Sequence, residues 1–249
     1  MTSEAGGGRL AARQFGKMAN VYAEEEDRRY PEDFILGLCD PDEDDAYLDL
    51  GTGPGTIAGV IAPHVGGVVG TDVSPEMLGL FETRAPGARA VLADAHRLPF
   101  NEGSFTLVTC GSVFHHLEDP ASVVDEVARV LVPGGRFLLI DMAGPENPER
   151  REARDEVERV RDPSHIHILA PSRVRAFVEA AGFEIKAEER QVEDKRDVYW
   201  ARIAGADVEK IREALRLREK VAAGFLALRW EGDGFIMRRE RAYYLAVRL

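Results

Sequence analysis

The 249-residue chain is 45% apolar, enough for a sizeable core, and its length suits one α/β domain with embellishments. Its 32 Lys and Arg against 44 Asp and Glu give a net charge of −12, which argues against non-specific nucleic-acid binding because that relies on clustered cations facing phosphates. Two cysteines, Cys39 and Cys110, make neither a disulfide framework nor a zinc motif, no apolar run approaches the ~18 residues of a membrane span, and Met1 to Arg9 has no signal-peptide core, so a reduced, cytoplasmic setting is expected.

Residues 1–9 are small, polar and glycine-rich and are expected to be disordered. Residues 10–40 read as an N-terminal helical cap. Leu10, Phe15, Met18, Ala19 and Tyr22 recur near helical spacing, and Phe34 to Cys39 closes a second helix. The acidic run Glu24 to Asp27 reads as a solvated face or loop.

Residues 45–142 alternate between strand and helix. Strands are expected at Tyr47–Leu50, Gly67–Asp72, Ala88–Ala93, Phe105–Cys110 and Arg136–Asp141. A helix starts at Thr56 and stops before Pro63. A second, Pro75–Arg84, has Ser74 as its N-cap and proline at its first position. A third, Pro120–Leu131, is capped by Asp119 and places Val123, Val124, Val127 and Val130 on one face; Pro133-Gly134-Gly135 then turns the chain. Nearly continuous apolar strands between helices indicate a parallel sheet buried on both faces. Ligands of such sheets lie beyond the carboxyl ends of the strands.

Beyond Asp141 the pattern changes. The Ala143 to Arg161 segment ends in a charged helix, and its pairs Arg151–Asp155 and Arg154–Glu158, four apart, suggest an exposed surface. Ser172 is the expected cap of a helix from Arg173 to Ala181, closed by Gly182. Phe183–Val192 alternates as a strand, Asp207–Arg229 holds one or two helices, Gly232-Asp233-Gly234 is a turn and Phe235–Leu249 is the last strand. Trp230 with Phe225, Leu226 and Leu228 reads as helix packing. The expected fold is a three-layer, Rossmann-like α/β sandwich. Its sheet has seven mostly parallel strands with the last antiparallel, and residues 143–170 and 194–233 form a helical lid.

Chemistry concentrates at the strand ends. In Leu48-Asp49-Leu50-Gly51-Thr52-Gly53-Pro54-Gly55-Thr56 the glycines let the backbone turn tightly and approach a ligand, and the next helix points its free N–H groups at the same place. Asp72 ends the following strand, 21 residues after Gly51, where a carboxylate can accept from ribose hydroxyls. The dinucleotide fingerprint G-x-G-x-x-G is not met, because Thr56 stands at its third glycine. Further along come Asp94-Ala95, Leu98-Pro99-Phe100, Cys110-Gly111-Ser112, Phe114-His115-His116-Leu117 and Val130-Leu131-Val132-Pro133-Gly134-Gly135.

With these motifs the chain resembles the class I S-adenosylmethionine-dependent methyltransferases, within the branch of the ubiquinone and menaquinone C-methyltransferases. The likeness is dense from Leu48 to Met142 and looser at Phe15…Tyr22 and Arg161-Asp162-Pro163-Ser164-His165. The resemblance implies that Gly51, Thr52 and Gly53 hold the methionine part of S-adenosyl-L-methionine. It implies that Asp49 orients that loop and the amino group, and that Asp72 binds the ribose. Val73 and Met77 would flank the adenine, Asp94 and Ala95 would meet its edge, Cys110 and Gly111 would line the sulfonium side, and Tyr22 would cap the cofactor. The implied acceptor is a small molecule, apolar or aromatic.

Methyl transfer is an in-line displacement in which sulfonium charge disperses, so positioning and exclusion of water dominate. It needs no metal and no covalent nucleophile. A general base helps where the acceptor is a hydroxyl, an amine or an acidic carbon. His115, His116 and His165 are the candidates, each with a structural alternative as a packed, hydrogen-bonded ring. His165 and His167 form H-x-H, but no further ligand at metal spacing accompanies them. Tyr199 and Trp200 either wall the acceptor pocket or pack in the core. Cys110 reads as a small apolar liner. Competing functions are use of the bound sulfonium for cyclisation or elimination, a nicotinamide dehydrogenase, and a non-catalytic cofactor-binding regulator.

Overall fold

The computed structural model describes residues 7–24, 30–217 and 228–249; of residues 7–9, 20 and 22–24 it describes the backbone alone. The expectation of disorder over residues 1–9 falls largely outside this set, and α1 (Gly7–Glu24) already begins at Gly7. Most of the acidic run after Glu24 also lies outside it. The chain continues through α2 (Glu32–Cys39), β1 (Ala46–Leu50), α3 (Thr56–Ile61), β2 (Gly67–Asp72), α4 (Pro75–Arg84), β3 (Arg89–Leu92), β4 (Phe105–Gly111), α5 (Pro120–Val130) and β5 (Leu131–Met142). After these come α6 (Pro148–Arg161), α7 (Pro171–Ala180), β6 (Phe183–Arg196), α8 (Asp197–Arg202), α9 (Val208–Leu217), β7 (Leu228–Glu231) and β8 (Gly234–Arg248).

The sheet order is β3-β2-β1-β4-β5-β8-β6. The first five strands are mutually parallel, and β8 runs antiparallel between β5 and β6. This is the expected mostly parallel sheet with an antiparallel last strand. Short β7 adds an eighth strand by folding back on β8 through Gly232, whose φ of 62° only glycine adopts cheaply. The chain leaves β1 outward to β2 and β3 and returns to the other side of β1 with β4. That reversal opens a crevice at the carboxyl ends of β1 and β4.

Period-two alternation sorts the strand side chains between two cores. Leu48, Leu50, Phe137 and Leu139 pack with the α5 valines 123, 124, 127 and 130 on one face. Tyr47, Leu138 and Ile140 pack with Ile35, Ile57, Ile61 and Phe81 on the other. Full burial of each such side chain contributes ~1.5–3 kcal/mol. The caps act as the sequence suggests: Ser74 Oγ accepts from Met77 N at 3.3 Å, and Asp119 Oδ1 accepts from Ser122 N at 3.3 Å.

Four sequence expectations are corrected beyond β4. The Pro133-Gly134-Gly135 turn lies inside β5, because Gly134 at φ 79° lets the strand bulge without ending. Ser172 does not cap α7, which begins at Pro171 after Ala170; its hydroxyl instead donates to Glu146 Oε2 at 2.5 Å. Trp230 lies in β7 and packs edge-on against Phe235, so the 207–229 region is not wholly helical. Phe225 and Leu226 fall outside the described residues. Finally, α6 is not an exposed helix. Arg154, Asp155, Val157, Glu158 and Arg161 are buried, because Trp200, Ile211, Leu215, Phe235 and Met237 close over this face around Val157. The four-apart pairs give way to Arg161 Nε–Glu158 Oε2 at 2.9 Å and His165 Nε2–Asp155 Oδ1 at 2.7 Å.

Candidate active site

The crevice holds a cavity of about 730 Å³, within the ~300–1,000 Å³ range of small-ligand pockets. Its floor is the glycine loop. Gly51, Gly53 and Gly55 all have positive φ. A Cβ on Gly51 would strike Val113, whereas one on Gly53 would meet no heavy atom within 4 Å. The loop is pinned from both sides. Thr52 N donates to Thr71 O at 2.8 Å, and Gly53 N donates to Asp72 Oδ2 at 2.9 Å.

Asp49 sits below this loop and lines the cavity. Thr52 Oγ1 and Thr109 Oγ1 each donate to it at 2.6 Å, and Tyr47 Oη lies 2.6 Å from Thr109 Oγ1. With the threonine proton given to Asp49, Tyr47 is the donor in that last contact. Burial pushes the Asp49 carboxyl up to about 6 despite the two hydroxyl donors. Asp72, at the end of β2, accepts Gly53 N and Ser74 N at 2.9 Å each, and burial raises its pKa against these bonds.

Val73, Met77, Asp94 and Ala95 line the same cavity, as does His96. Asp94 Oδ1 takes both His96 Nδ1 at 2.7 Å and His96 N at 3.0 Å, and the histidine bond holds Asp94 below the usual carboxylate range. The structure therefore brings together Asp49, Gly51, Thr52, Gly53, Asp72, Val73, Met77, Asp94, Ala95 and Gly111. Cys110 does not join them. It is fully buried in the core beneath, and burial raises its thiol pKa well above the ordinary value. The Tyr22 side chain lies outside the described residues.

Tyr30, Ser112 and Val113 complete the wall that Cys110 was expected to supply. Tyr30 Oη and Ser112 Oγ are 2.8 Å apart, and Ser112 holds an unusual φ of 60° fixed by its N–H bond to Ile140 O at 2.8 Å. Ser112 follows Gly111 in the Cys110-Gly111-Ser112 motif, but the resemblance assigns the wall to Cys110 and Gly111, and Tyr30, two residues before α2, is not singled out by it.

The three histidine candidates separate. His115 Nδ1 is 2.6 Å from Asp141 Oδ1, a buried carboxylate that also accepts His115 N and Met142 N. Burial opposes ionisation of Asp141, but His115 and these bonds overcome it and lower its pKa. Asp141 is thus an acceptor, so His115 Nδ1 carries the proton and Nε2 has no protein partner among the described residues. His116 Nδ1 donates to the Ser164 carbonyl at 3.0 Å, while its ring sits edge-on to Phe15. Burial and then His115 push the His116 pKa far below that of an ordinary histidine, making it a weak base. His165 is withdrawn from the cavity: its side chain is fully buried, with Nε2 bound to Asp155. Trp200 is likewise core, whereas Tyr199 borders a second cavity.

That second cavity, of about 70 Å³, shares Phe15, Ser112 and His116 with the first and extends under α1 toward β8. Among the described residues no helix is long and apolar enough to cross a membrane.

Residues 48–139, the glycine loop through β5, match the family model described as a methyltransferase domain. The uncharacterized methyltransferase YcgJ of Bacillus subtilis is 34% identical over 173 residues, covering 67% of this chain and 68% of that protein. The chain belongs to the methyltransferase family. A demethylmenaquinone methyltransferase of Clavibacter sepedonicus is 30% identical over 187 residues, covering 73% of this methyltransferase and 70% of the relative. A crystal structure from Bacillus halodurans, described as a candidate methyltransferase, superposes with a TM-score of 0.82 at 27% identity, over 88% of this methyltransferase and 98% of that chain. The enzyme is thus an S-adenosylmethionine-dependent methyltransferase by family, with the Rossmann-like fold of that class.

Proposed function

We propose that the chain binds S-adenosyl-L-methionine in the larger cavity and transfers its methyl group to a small molecule entering beside Ser112 and His116. The observation that carries this reading is the convergence of the glycine loop, Asp72 and Asp94-Ala95 on one cavity with Ser112 and His116 at its inner end. The residues fit the group. Gly53 leaves open space where a Cβ would stand, and each Asp72 oxygen retains a lone pair after its backbone bond. Asp72 would hold the ribose, Asp94 and Ala95 the adenine edge, Val73 and Met77 its faces, and Gly51 to Gly53 with Asp49 the methionine part. When bound, the cofactor supplies a methyl group activated by a sulfonium.

This chain's own contribution is to position, to exclude water and to move a proton. Tyr30, Ser112 and Val113 wall the inner end. His115, oriented by Asp141, is the base for an acceptor that must lose a proton, and neutral His116 packs beside it without taking the proton. α1, the segment 143–170 and the described residues of the segment 194–233 cover the acceptor side; Phe15, Asp162, Lys195 and Tyr199 line the second cavity and support that reading. The acceptor is a small molecule with an apolar or aromatic portion, in keeping with Phe15 and Met18 at the passage. The name of the Clavibacter relative supports a small-molecule acceptor.

Incubation with methyl-labelled S-adenosylmethionine and a panel of small phenols and quinols tests the reading. Products gaining one labelled methyl support it. Products of unchanged mass, formed while the cofactor is bound but not consumed, would assign the fold to cyclisation or elimination instead.

A further inference from the structure

The second cavity is built from charged side chains that the methyl-donor site does not use. Its cations are Arg161, Lys195, Arg239 and Arg241; its acids are Asp162, Glu193 and Glu240. Most of these charges are already spent on one another. Glu193 takes Arg241 at 2.8 Å and Lys195 at 2.5 Å. Asp162 accepts Ser164 N and Ser164 Oγ, and half-exposed Glu240 turns to Arg190 at 3.8 Å.

Arg239 is the exception. Buried Glu158 is the nearest acid, but it binds Arg161 at 2.9 Å and stands 4.0 Å from Arg239. Arg154 also crowds this one carboxylate, and its Nε and Nη2 are buried with no partner among the described residues. Arg239 Nη2 instead contacts the Met142 thioether, a weak acceptor, and its Nε is buried with no partner among the described residues. Burial and the neighbouring arginines hold its pKa down at about 10, so it remains a cation at neutral pH. A guanidinium with five donors and so few acceptors, facing a cavity, is poised to take a planar anion in a bidentate fork.

Building on the function proposed above, we propose that the second cavity is the anionic end of the acceptor pocket, that Arg239 anchors it, and that the acceptor carries a carboxylate. A monoanion is favoured over a phosphate because Arg161 and Arg239 share the single carboxylate of Glu158, while Asp162 and Glu193 also line the cavity. A dianion would add repulsion from Asp162 and Glu193. A carboxylate held at Arg239 places the rest of the molecule along Phe15 and His116, whose rings stand edge to face at 5.0 Å, and so toward the shared opening at Ser112. Arg239 is here a specificity-determining residue. Its place on β8 also explains what the last strand of the chain contributes to the site.

The test is calorimetric titration with S-adenosylhomocysteine, followed by titration of that complex with benzoate, benzamide and phenyl phosphate. The expected order is benzoate tighter than benzamide by about tenfold or more, the factor one charge-assisted hydrogen bond supplies, with phenyl phosphate weaker than benzoate. Arg239→Gln should remove the preference for benzoate over benzamide without changing S-adenosylhomocysteine affinity. Arg239→Lys, which keeps the charge and loses the fork, should retain part of it. If Arg239→Gln does not fold, the wild-type preference and the lysine variant decide. Equal affinity for benzoate and benzamide, or tighter phenyl phosphate, overturns the proposal. Failure of S-adenosylhomocysteine to bind at all overturns the proposed function instead.

Discussion

His115 Nδ1 stands 2.6 Å from Asp141 Oδ1, joining the short helical turn after β4 to the carboxyl end of β5. The bond fixes one tautomer of the ring and keeps Nε2 as its proton-accepting nitrogen. Asp141→Asn should release that preference. The expected result is loss of the single Nδ1-protonated pattern in histidine side-chain 15N spectra, with methyl transfer reduced by roughly 10²-fold or more and cofactor affinity unchanged. An unaltered tautomer in Asp141→Asn would remove the orienting role.

His116 makes the opposite prediction for stability. Burial and then His115 depress its folded pKa below the ordinary 6.5. Below pH 6.5 the unfolded chain binds a proton that the folded protein refuses. The stability it contributes is therefore full above 6.5 and is lost as pH falls toward the folded value, by up to about 1.4 kcal/mol per pH unit. Between pH 7 and pH 5 the urea midpoint of the wild type should fall relative to that of His116→Phe, which lacks this titration. Parallel slopes in both proteins would mean that the ring titrates normally.

Asp49 has the reverse sign. Its folded value of about 6 exceeds the ordinary 3.8, so the folded protein holds an extra proton and loses stability as pH rises through that window. A bound α-ammonium beside Asp49 would favour its ionised form. For a group of pKa about 6 that ionises on binding, the free fraction gives (1 + 10)/(1 + 0.1), so affinity for S-adenosylmethionine should rise about tenfold from pH 5 to pH 7. Calorimetry at the two pH values reads this directly, and a flat profile would place the ammonium elsewhere.

Two glycines separate local cost from site cost. A Cβ on Gly111 would strike Ile57 and lie 2.9 Å from Tyr30 Oη, displacing the wall beside Ser112. Gly111→Ala should lose about 1–3 kcal/mol of stability and weaken S-adenosylhomocysteine binding. Gly79, on the exposed side of α4, meets nothing within 4 Å. Gly79→Ala should gain about 0.5–1 kcal/mol and leave binding alone. Paired thermal unfolding curves with and without the ligand distinguish the two effects.

The proposed donor half of the site was legible because its signals are local. Glycines at positive φ, Asp72 at a strand end and Ser74 before Pro75 each announce their backbone geometry within a few residues. The proposed acceptor half was legible only at His115, His116 and Tyr199. Asp141 was visible only as the end of a strand, and its link to His115 spans 26 residues. Arg239 reads in sequence as one more charge in an alternating strand. It becomes part of a site only because β8 inserts between β5 and β6 and carries it over α6. The same packing buried Arg154 and Glu158, whose spacing alone suggested a solvated helix. Cys110 misled for a related reason: it alternates inward on β4, and the neighbouring Ser112, held at φ 60°, lines the cavity in its place.

The cavity above the glycine loop is proposed as the methyl-donor site, with Asp72 as its anchor. Calorimetric titration of the wild type and Asp72→Ala with S-adenosylhomocysteine tests it most directly. Saturable binding of one ligand per chain is expected for the wild type. In the variant it should weaken by at least about tenfold, because charge-assisted hydrogen bonds to the ligand are lost, each worth roughly 1.5–3 kcal/mol, and Gly53 N loses its acceptor. Absence of binding to the wild type, or equal affinity in a folded Asp72→Ala, would rule out this cavity as a donor site anchored by Asp72.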